Sequence, residues 1–150
     1  MSDDAVVLST RDGVATITLN RPEAKNRLDS QGMELLREHL AATAGDPGTR
    51  VVVLTGSGST FCSGADLSGA LQAAEGGFAS GGTTALVGVL TAMLDHPKPI
   101  VGRIQGHVAG GGNGLVAACD LAVASAEAKF AFSEVRVGVA PATSASCACR

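Results

Sequence analysis

The sequence contains no tryptophan and no tyrosine, and only four of its 150 residues are phenylalanine. A hydrophobic core must therefore consist of Val, Leu, Ile and Ala side chains. No apolar run reaches the roughly 18 residues that a membrane-spanning helix requires. The acidic N-terminus also lacks the apolar stretch of a secretory signal. We therefore expect a single globular core in the cytoplasm, without a membrane partner.

Positive charge is scarce as well. The net charge is -3 at pH 7, which leaves no basic footprint for nucleic acid. The four cysteines are Cys62, Cys119, Cys147 and Cys149, and no pair has the spacing of a zinc site. We expect free thiols and no metal, with pairing or soft-metal binding by Cys147 and Cys149 as the alternative.

Strand and helix signals alternate along the chain, which predicts an α/β fold. A turn at Asp12-Gly13 joins two β-rich runs as a hairpin. Residues 51–66 and 100–114 each begin as a buried apolar strand and continue into a glycine-bearing loop. Because two strand ends of one sheet can lie side by side, we expect these two loops to meet.

Two helices are predicted from capping signals and apolar spacing. Asp29 or Ser30 is positioned to cap a helix over residues 31–44. A second helix is expected to start at Thr83 or Thr84, where apolar residues follow at helical spacing.

A run of glycines is the most unusual local feature. Gly110, Gly111 and Gly112 are consecutive, and Gly114 follows one residue later. Glycine costs backbone entropy, so the run indicates a close approach of the backbone to something. Backbone N–H groups in such turns can converge on one oxygen and stabilise negative charge there.

Two other interpretations of the same stretch remain open. The loops can be tight turns without a ligand. Alternatively, Gly112, Gly114 and Ala117 fit a loose dinucleotide fingerprint, with Glu134 at a spacing suited to a ribose.

Four motifs together carry a resemblance to a known family. They are NRPEAKNRLD (20–29), FCSGADL (61–67), HPKPIVGRIQGHVAGGGNGLVAACDLAVAS (96–125) and FAFSEVRVGVAP (130–141). In this order they resemble the signature segments of the crotonase superfamily, the enoyl-CoA hydratases and isomerases, and most of all a bacterial enoyl-CoA hydratase.

The resemblance implies a crotonase-like spiral of ββα units. Residues 1–141 would form the acyl-CoA-binding core, and residues 142–150 form a tail without apolar periodicity. Family members continue into C-terminal helices that are missing here, so we expect a C-terminally truncated chain. The family is usually a homotrimer or a hexamer, and its trimer contact uses those helices.

The resemblance also implies a chemistry. The thioester carbonyl of an acyl-CoA would lie between the backbone N–H groups of Ala65 and Gly111 and become an enolate. Glu134 matches the glutamate that transfers the proton at the acyl chain. Coenzyme A enters as part of the substrate in fatty-acid metabolism, so no separate cofactor is expected.

Five further residues match the coenzyme A groove. Lys25 and Arg27 belong to the loop along the pantetheine and nucleotide, and Arg27 stands where the family usually has a small residue. Ser63, Asp66 and Leu67 flank the first oxyanion donor.

One position departs from the hydratase pattern. Typical hydratases carry a second glutamate where this chain has Gly114. The expected activity is hydration of a 2-enoyl-CoA, and the alternatives are an enoyl-CoA isomerase with a single catalytic Glu or an inactive, truncated family member.

Overall fold

The structure, a computed structural model, describes residues 4–64 and 81–134. The strands are β1 (Val6–Arg11), β2 (Val14–Leu19), β3 (Val51–Gly56), β4 (Thr60–Cys62), β5 (Ile100–Ile104), β6 (His107–Ala109), β7 (Leu121–Ala124) and β8 (Phe130–Ala131). The helices are α1 (Ser30–Gly45), α2 (Gly81–Leu94) and α3 (Gly111–Ala117), preceded by a 3-10 turn at Pro22–Ala24. The predicted α/β class is confirmed.

The predicted hairpin is confirmed. β1 and β2 pair antiparallel, with Val6 opposite Leu19 and Arg11 opposite Val14. Asp12 and Gly13 both have positive φ, 52° and 81°. Two successive residues of this kind form the tight turn whose twist matches that of the flanking strands.

A five-stranded sheet carries most of the core. Its strand order is β1-β2-β3-β5-β7, and every pairing after the hairpin is parallel. Strands and helices contribute to one buried apolar cluster, which includes Ile17, Leu19, Val52, Leu54, Ile100, Ile104, Leu36, Leu40, Val89 and Met93. Aliphatic side chains thus fill this core, as the shortage of aromatic residues requires.

A second, three-stranded sheet has the order β4-β6-β8 and is parallel throughout. The expectation that two strand ends of one sheet bring the two glycine-bearing loops together is confirmed. β3 and β5 pair in the larger sheet, and the loops meet at the ends of β4 and β6, which pair in the smaller one. These strands of two or three residues are too short to show a period in the sequence.

Both helix starts were predicted to within a few residues. Asp29 caps α1, because its Oδ1 accepts a hydrogen bond of 2.8 Å from the N–H of Gly32. α2 begins at Gly81, ahead of the predicted Thr83 or Thr84.

Some predictions fall partly or wholly beyond the described residues. The tail at 142–150 lies outside them, so the domain boundary at residue 141 stays a prediction. Within 4–64 and 81–134, no helix is both long and apolar enough to cross a membrane.

Asp29→Ala is expected to lower the free energy of unfolding by about 0.5–2 kcal/mol, the usual worth of an N-cap. Burial opposes ionisation of Asp29, yet the Gly32 N–H and the Arg21 guanidinium hold the pKa of its carboxyl below the ordinary value. A lowered folded-state pKa means that the contribution is present above the unfolded pKa and is lost as the pH falls through the folded value.

Urea denaturation at pH 7 and at acid pH measures this effect. Glu38→Ala, on the exposed side of the same helix, is the control. A loss in Asp29→Ala no larger than in Glu38→Ala would contradict the cap.

Candidate active site

Three strand ends meet at one edge of the small sheet. Parallel pairing aligns Cys62 with Val108 and Ala109 with Ala131. The N–H of Gly110 donates to the carbonyl of Ala131 at 3.1 Å. Because all three strands run in the same direction, the segments 62–64, 109–111 and 131–134 come together beyond their carboxyl ends.

The two glycine-bearing loops touch through their backbones. Gly64 has φ +97°, and a Cβ placed on it would lie 2.9 Å from the nitrogen of Gly111 and 3.0 Å from the carbonyl oxygen of Ala109. Only glycine combines this φ with so close an approach. The predicted meeting of the loops is therefore observed.

Glu134 lies at this junction. A Cβ on Gly110, which has φ +53°, would lie 3.8 Å from the carboxyl carbon of Glu134 and 3.5 Å from Ser133 Oγ. The Glu134 side chain is half-buried, and its Oε2 is shielded from solvent. The structure thus brings the predicted proton-transferring carboxylate to the glycine loop.

Gly111 is the first residue of α3. A backbone N–H in the first turn has no acceptor within its own helix, and the helix N-terminus carries partial positive charge. Gly110, the N-cap, supplies no side-chain acceptor. The Gly111 N–H is therefore suited to an oxygen that gains negative charge. Its predicted partner, Ala65, lies outside the described residues, so the donor pair stays a prediction.

The predicted coenzyme A loop pairs with the first glycine loop. The N–H of Ser63 donates to the carbonyl of Lys25 at 3.1 Å, and the N–H of Leu28 donates to the carbonyl of Gly64 at 2.9 Å. The side chains of Lys25 and Arg27 are exposed. Asp66 and Leu67 lie outside the described residues.

Two asparagines that no sequence motif singled out hold this arrangement together. Asn26 is 1% exposed and has φ 52°. Its Nδ2 donates to the carbonyls of Ser57 and Thr60 at 2.9 and 2.7 Å, which anchors the loop of Lys25 to β4. The other is Asn113, whose side chain binds carbonyls on two neighbouring segments. A single asparagine carries no specific signal in a loop or a helix, so the sequence did not mark either residue.

A buried glycine occupies the position where typical hydratases carry a second glutamate. Gly114 lies in α3, one residue after Asn113, and adds no carboxylate to the site.

The described cysteines are inert by burial. Burial raises the pKa of the Cys62 thiol to about 11, against a smaller opposing effect of the Gly64 N–H. Burial, with a smaller contribution from Asp120, raises the pKa of Cys119 to about 12. Both thiols are protonated at neutral pH and are poor nucleophiles. Cys147 and Cys149 lie outside the described residues, and the described part of the chain holds no cluster of three or more potential metal ligands.

Other polar residues in the motifs have structural partners. Asp120 Oδ2 accepts a hydrogen bond of 2.7 Å from the first N–H of β5, at Ile100. His96 contacts the carbonyls of Leu40 and Lys98. Lys98 donates through Nζ to carbonyls at the end of α1.

The comparison with known proteins shows the family of the chain. A model of the family described as enoyl-CoA hydratase/isomerase matches residues 9–149. The chain therefore belongs to the enoyl-CoA hydratase/isomerase family. The alternative of a dinucleotide-binding fold is wrong, and a Cβ on Gly112 would lie 2.7 Å from the Cys62 carbonyl oxygen, so this glycine serves backbone packing.

Among curated relatives, the chain is similar to a probable enoyl-CoA hydratase of Mycobacterium leprae. The two are 39% identical over 136 residues, which is 89% of this chain and 53% of the relative. The (E)-benzylidenesuccinyl-CoA hydratase of Thauera aromatica is 40% identical over 136 residues, covering 88% and 51%. The chain thus spans about half the length of the curated relatives it matches.

Solved structures confirm the crotonase fold. A putative enoyl-CoA hydratase/isomerase (crotonase) from Legionella pneumophila superposes with a TM-score of 0.87 at 34% identity, over 97% of this chain and 57% of that one. Human enoyl coenzyme A hydratase domain-containing protein 3 gives a TM-score of 0.88 at 27% identity, over 95% and 56%.

Gly64→Ala is expected to lower the free energy of unfolding by about 1–3 kcal/mol, the cost of holding a residue in a sparsely populated backbone region. The new Cβ would also press on the nitrogen of Gly111. Thermal and urea denaturation measure the loss.

Gly45→Ala is the matched control, since a Cβ there meets nothing within 4 Å. Equal stability of the two variants would contradict the backbone contact between the loops.

Proposed function

We propose that this chain carries the acyl-CoA-binding half-site and the catalytic glutamate of an enoyl-CoA hydratase. The substrate is a 2-enoyl-CoA thioester. The reaction passes through an enolate held in an oxyanion hole formed by the backbone N–H groups of Ala65 and Gly111.

One observation carries the proposal. The N–H of the first residue of a helix and a half-buried carboxylate lie together at one edge of the small sheet. Gly111 begins α3 at the contact with Gly64. The carboxyl carbon of Glu134 lies 3.8 Å from the Cβ position of Gly110, the residue before it. An enolate mechanism requires these two groups together, because negative charge builds on the thioester oxygen while a proton moves at the adjacent carbon.

Hydration divides the work between the two groups. When water adds to the β-carbon of the enoyl chain, the electron pair of the double bond moves toward the thioester carbonyl. The donors stabilise the resulting oxyanion, and removal of one such donor typically costs about 10²–10³ in rate. Glu134 accepts the proton that the water loses on attack and delivers a proton to the α-carbon as the carbonyl re-forms.

We assign binding of the coenzyme A portion of the substrate to the neighbouring loop, which contains Lys25 and Arg27. Lys25 and Arg27 are exposed cations on a segment hydrogen-bonded to Ser63 and Gly64. Both side chains can pair with phosphate, Lys as a point charge and Arg through two parallel hydrogen bonds. Ser63, Asp66 and Leu67 would line the groove beside the first donor.

A second candidate activity follows from Gly114. Without the second carboxylate, water is harder to activate, whereas Glu134 alone suffices to carry a proton from one carbon to another across an allylic system. Enoyl-CoA isomerisation is therefore the alternative. A third candidate is a family member that binds the ligand without turnover.

The test is the ultraviolet difference spectrum of acetoacetyl-CoA bound to the chain. This ligand forms an enolate in a working oxyanion hole, so a saturable enolate band is expected for wild type and for Glu134→Gln. Turnover of a 2-enoyl-CoA is expected to fall by about 10²–10⁴ in Glu134→Gln, because the acid–base group is lost.

Glu127→Gln, an exposed glutamate in the turn before β8, is the matched control and should turn over normally. A Glu134→Gln variant that keeps most of its rate would refute the assignment of the base. Binding without turnover of either a 2-enoyl or a 3-enoyl substrate would favour the inactive candidate.

Gly114→Glu is expected to raise the rate of hydration relative to the rate of isomerisation. The increase approaches about 10²-fold, which is the contribution of one acid–base group. The ratio of the two initial rates measures this, with Gly114→Gln as the uncharged control. If the enolate band persists but the ratio does not change, the missing acid does not limit hydration.

A further inference from the structure

Asn113 bridges two segments that lie far apart in the sequence. It lies in the first turn of α3 and is 9% exposed. Its Nδ2 donates to the carbonyl of Gly110 at 3.1 Å and to the carbonyl of Ala131 at 2.9 Å. Its backbone N–H also donates to Gly110, at 3.0 Å. The two hydrogens of one amide thus serve two different carbonyls.

These carbonyls belong to the segments that carry the reacting groups. Gly110 immediately precedes the donor Gly111, and Ala131 is the last residue of β8, shortly before Glu134. Gly110 donates to the same Ala131 carbonyl, so Asn113 reinforces a contact that a single backbone hydrogen bond would otherwise carry. β8 has only two residues in its ladder, which makes this additional link a large share of its attachment.

We propose that Asn113 is a positioning residue that sets the distance between the Gly111 N–H and the Glu134 carboxylate. The inference rests on the proposed function for its catalytic consequence, but its structural part concerns the unliganded protein. The side chain acts through the two carbonyls to which it donates.

Asparagine offers both hydrogens that the geometry uses, whereas aspartate and serine do not. An ionised aspartate has the same shape but offers no hydrogen to either carbonyl, and its charge would repel both. A serine offers one hydrogen from a shorter side chain. Misplacement of a catalytic group by about 1 Å can cost about 10² in rate, so loss of the bridge should act on turnover.

Coenzyme A binding should be affected much less. The loop of Lys25 is attached through Ser63 and Leu28, and by the separate amide of Asn26. Asn26 is a matched comparison, because it is also buried and also donates from one Nδ2 to two carbonyls. Its removal should weaken binding, whereas removal of Asn113 should slow the chemical step.

The experiment compares Asn113→Asp, Asn113→Ser and Asn26→Ser with wild type. For both Asn113 variants we expect kcat to fall by about 10–10² while KM changes less than about threefold. For Asn26→Ser we expect KM to rise and kcat to hold. The enolate band of bound acetoacetyl-CoA should weaken in the Asn113 variants and recover in part from Asp to Ser.

Amide NMR of the unliganded chain separates this inference from the proposed function. In Asn113→Ser the amide resonances of Gly110, Gly111 and Glu134 should shift together, while those of Lys25 and Ser63 stay in place. If wild type neither binds nor turns over substrate, the proposed function fails, and this pattern still decides whether Asn113 sets the spacing. Unshifted resonances, a KM effect equal to the kcat effect, or loss of fold in both Asn113 variants would overturn the proposal.

Discussion

The parallel pairing of β4, β6 and β8 is the constraint on which the site depends. Each strand contributes only two or three residues, so little side-chain burial is available to fix their separation. Backbone contact does this instead. A Cβ on Gly64 would meet the Gly111 nitrogen at 2.9 Å, and a Cβ on Gly112 would meet the Cys62 carbonyl oxygen at 2.7 Å. A side chain at either glycine would collide with the opposite loop. Glycine at these positions therefore permits the close spacing of the two loops.

The larger sheet provides the rigid base for this small one. α1, α2 and four strands of the five-stranded sheet, β1, β2, β3 and β5, share one apolar cluster, which also includes Phe61 and Val108 from β4 and β6. These two side chains connect the small sheet to the core. Close-packed protein interiors deform little. Two buried asparagines, Asn26 and Asn113, then hold the loops through hydrogen bonds to backbone carbonyls. Packing sets the strands, whereas hydrogen bonds set the site.

The elements that could be predicted from the sequence are those in which the pattern of apolar residues is long enough to be recognised. α1, β3 and β5 each extend over a full period of apolar residues, and the Asp12-Gly13 turn has a specific dipeptide signal. The short strands of the second sheet offered no such period, so the sequence did not predict β4 and β6 as separate strands. Glu134, Lys25 and Gly111 are predicted as site residues because the family motifs mark them. Asn26 and Asn113 were missed because their partners, such as Thr60 and Ala131, are distant in sequence and become neighbours only after folding.

The order of the strands has a consequence for how the protein reaches its native state. β4 pairs with β6 across α2 and β5, and β6 pairs with β8 across α3 and β7. Each pairing closes a long loop, and the entropy lost in closing it is repaid only by a few late contacts. The hairpin and α1 are local and can form early. The candidate site is thus expected to form late in folding, and a chain in which only the hairpin and α1 have formed presents no site for a ligand to stabilise.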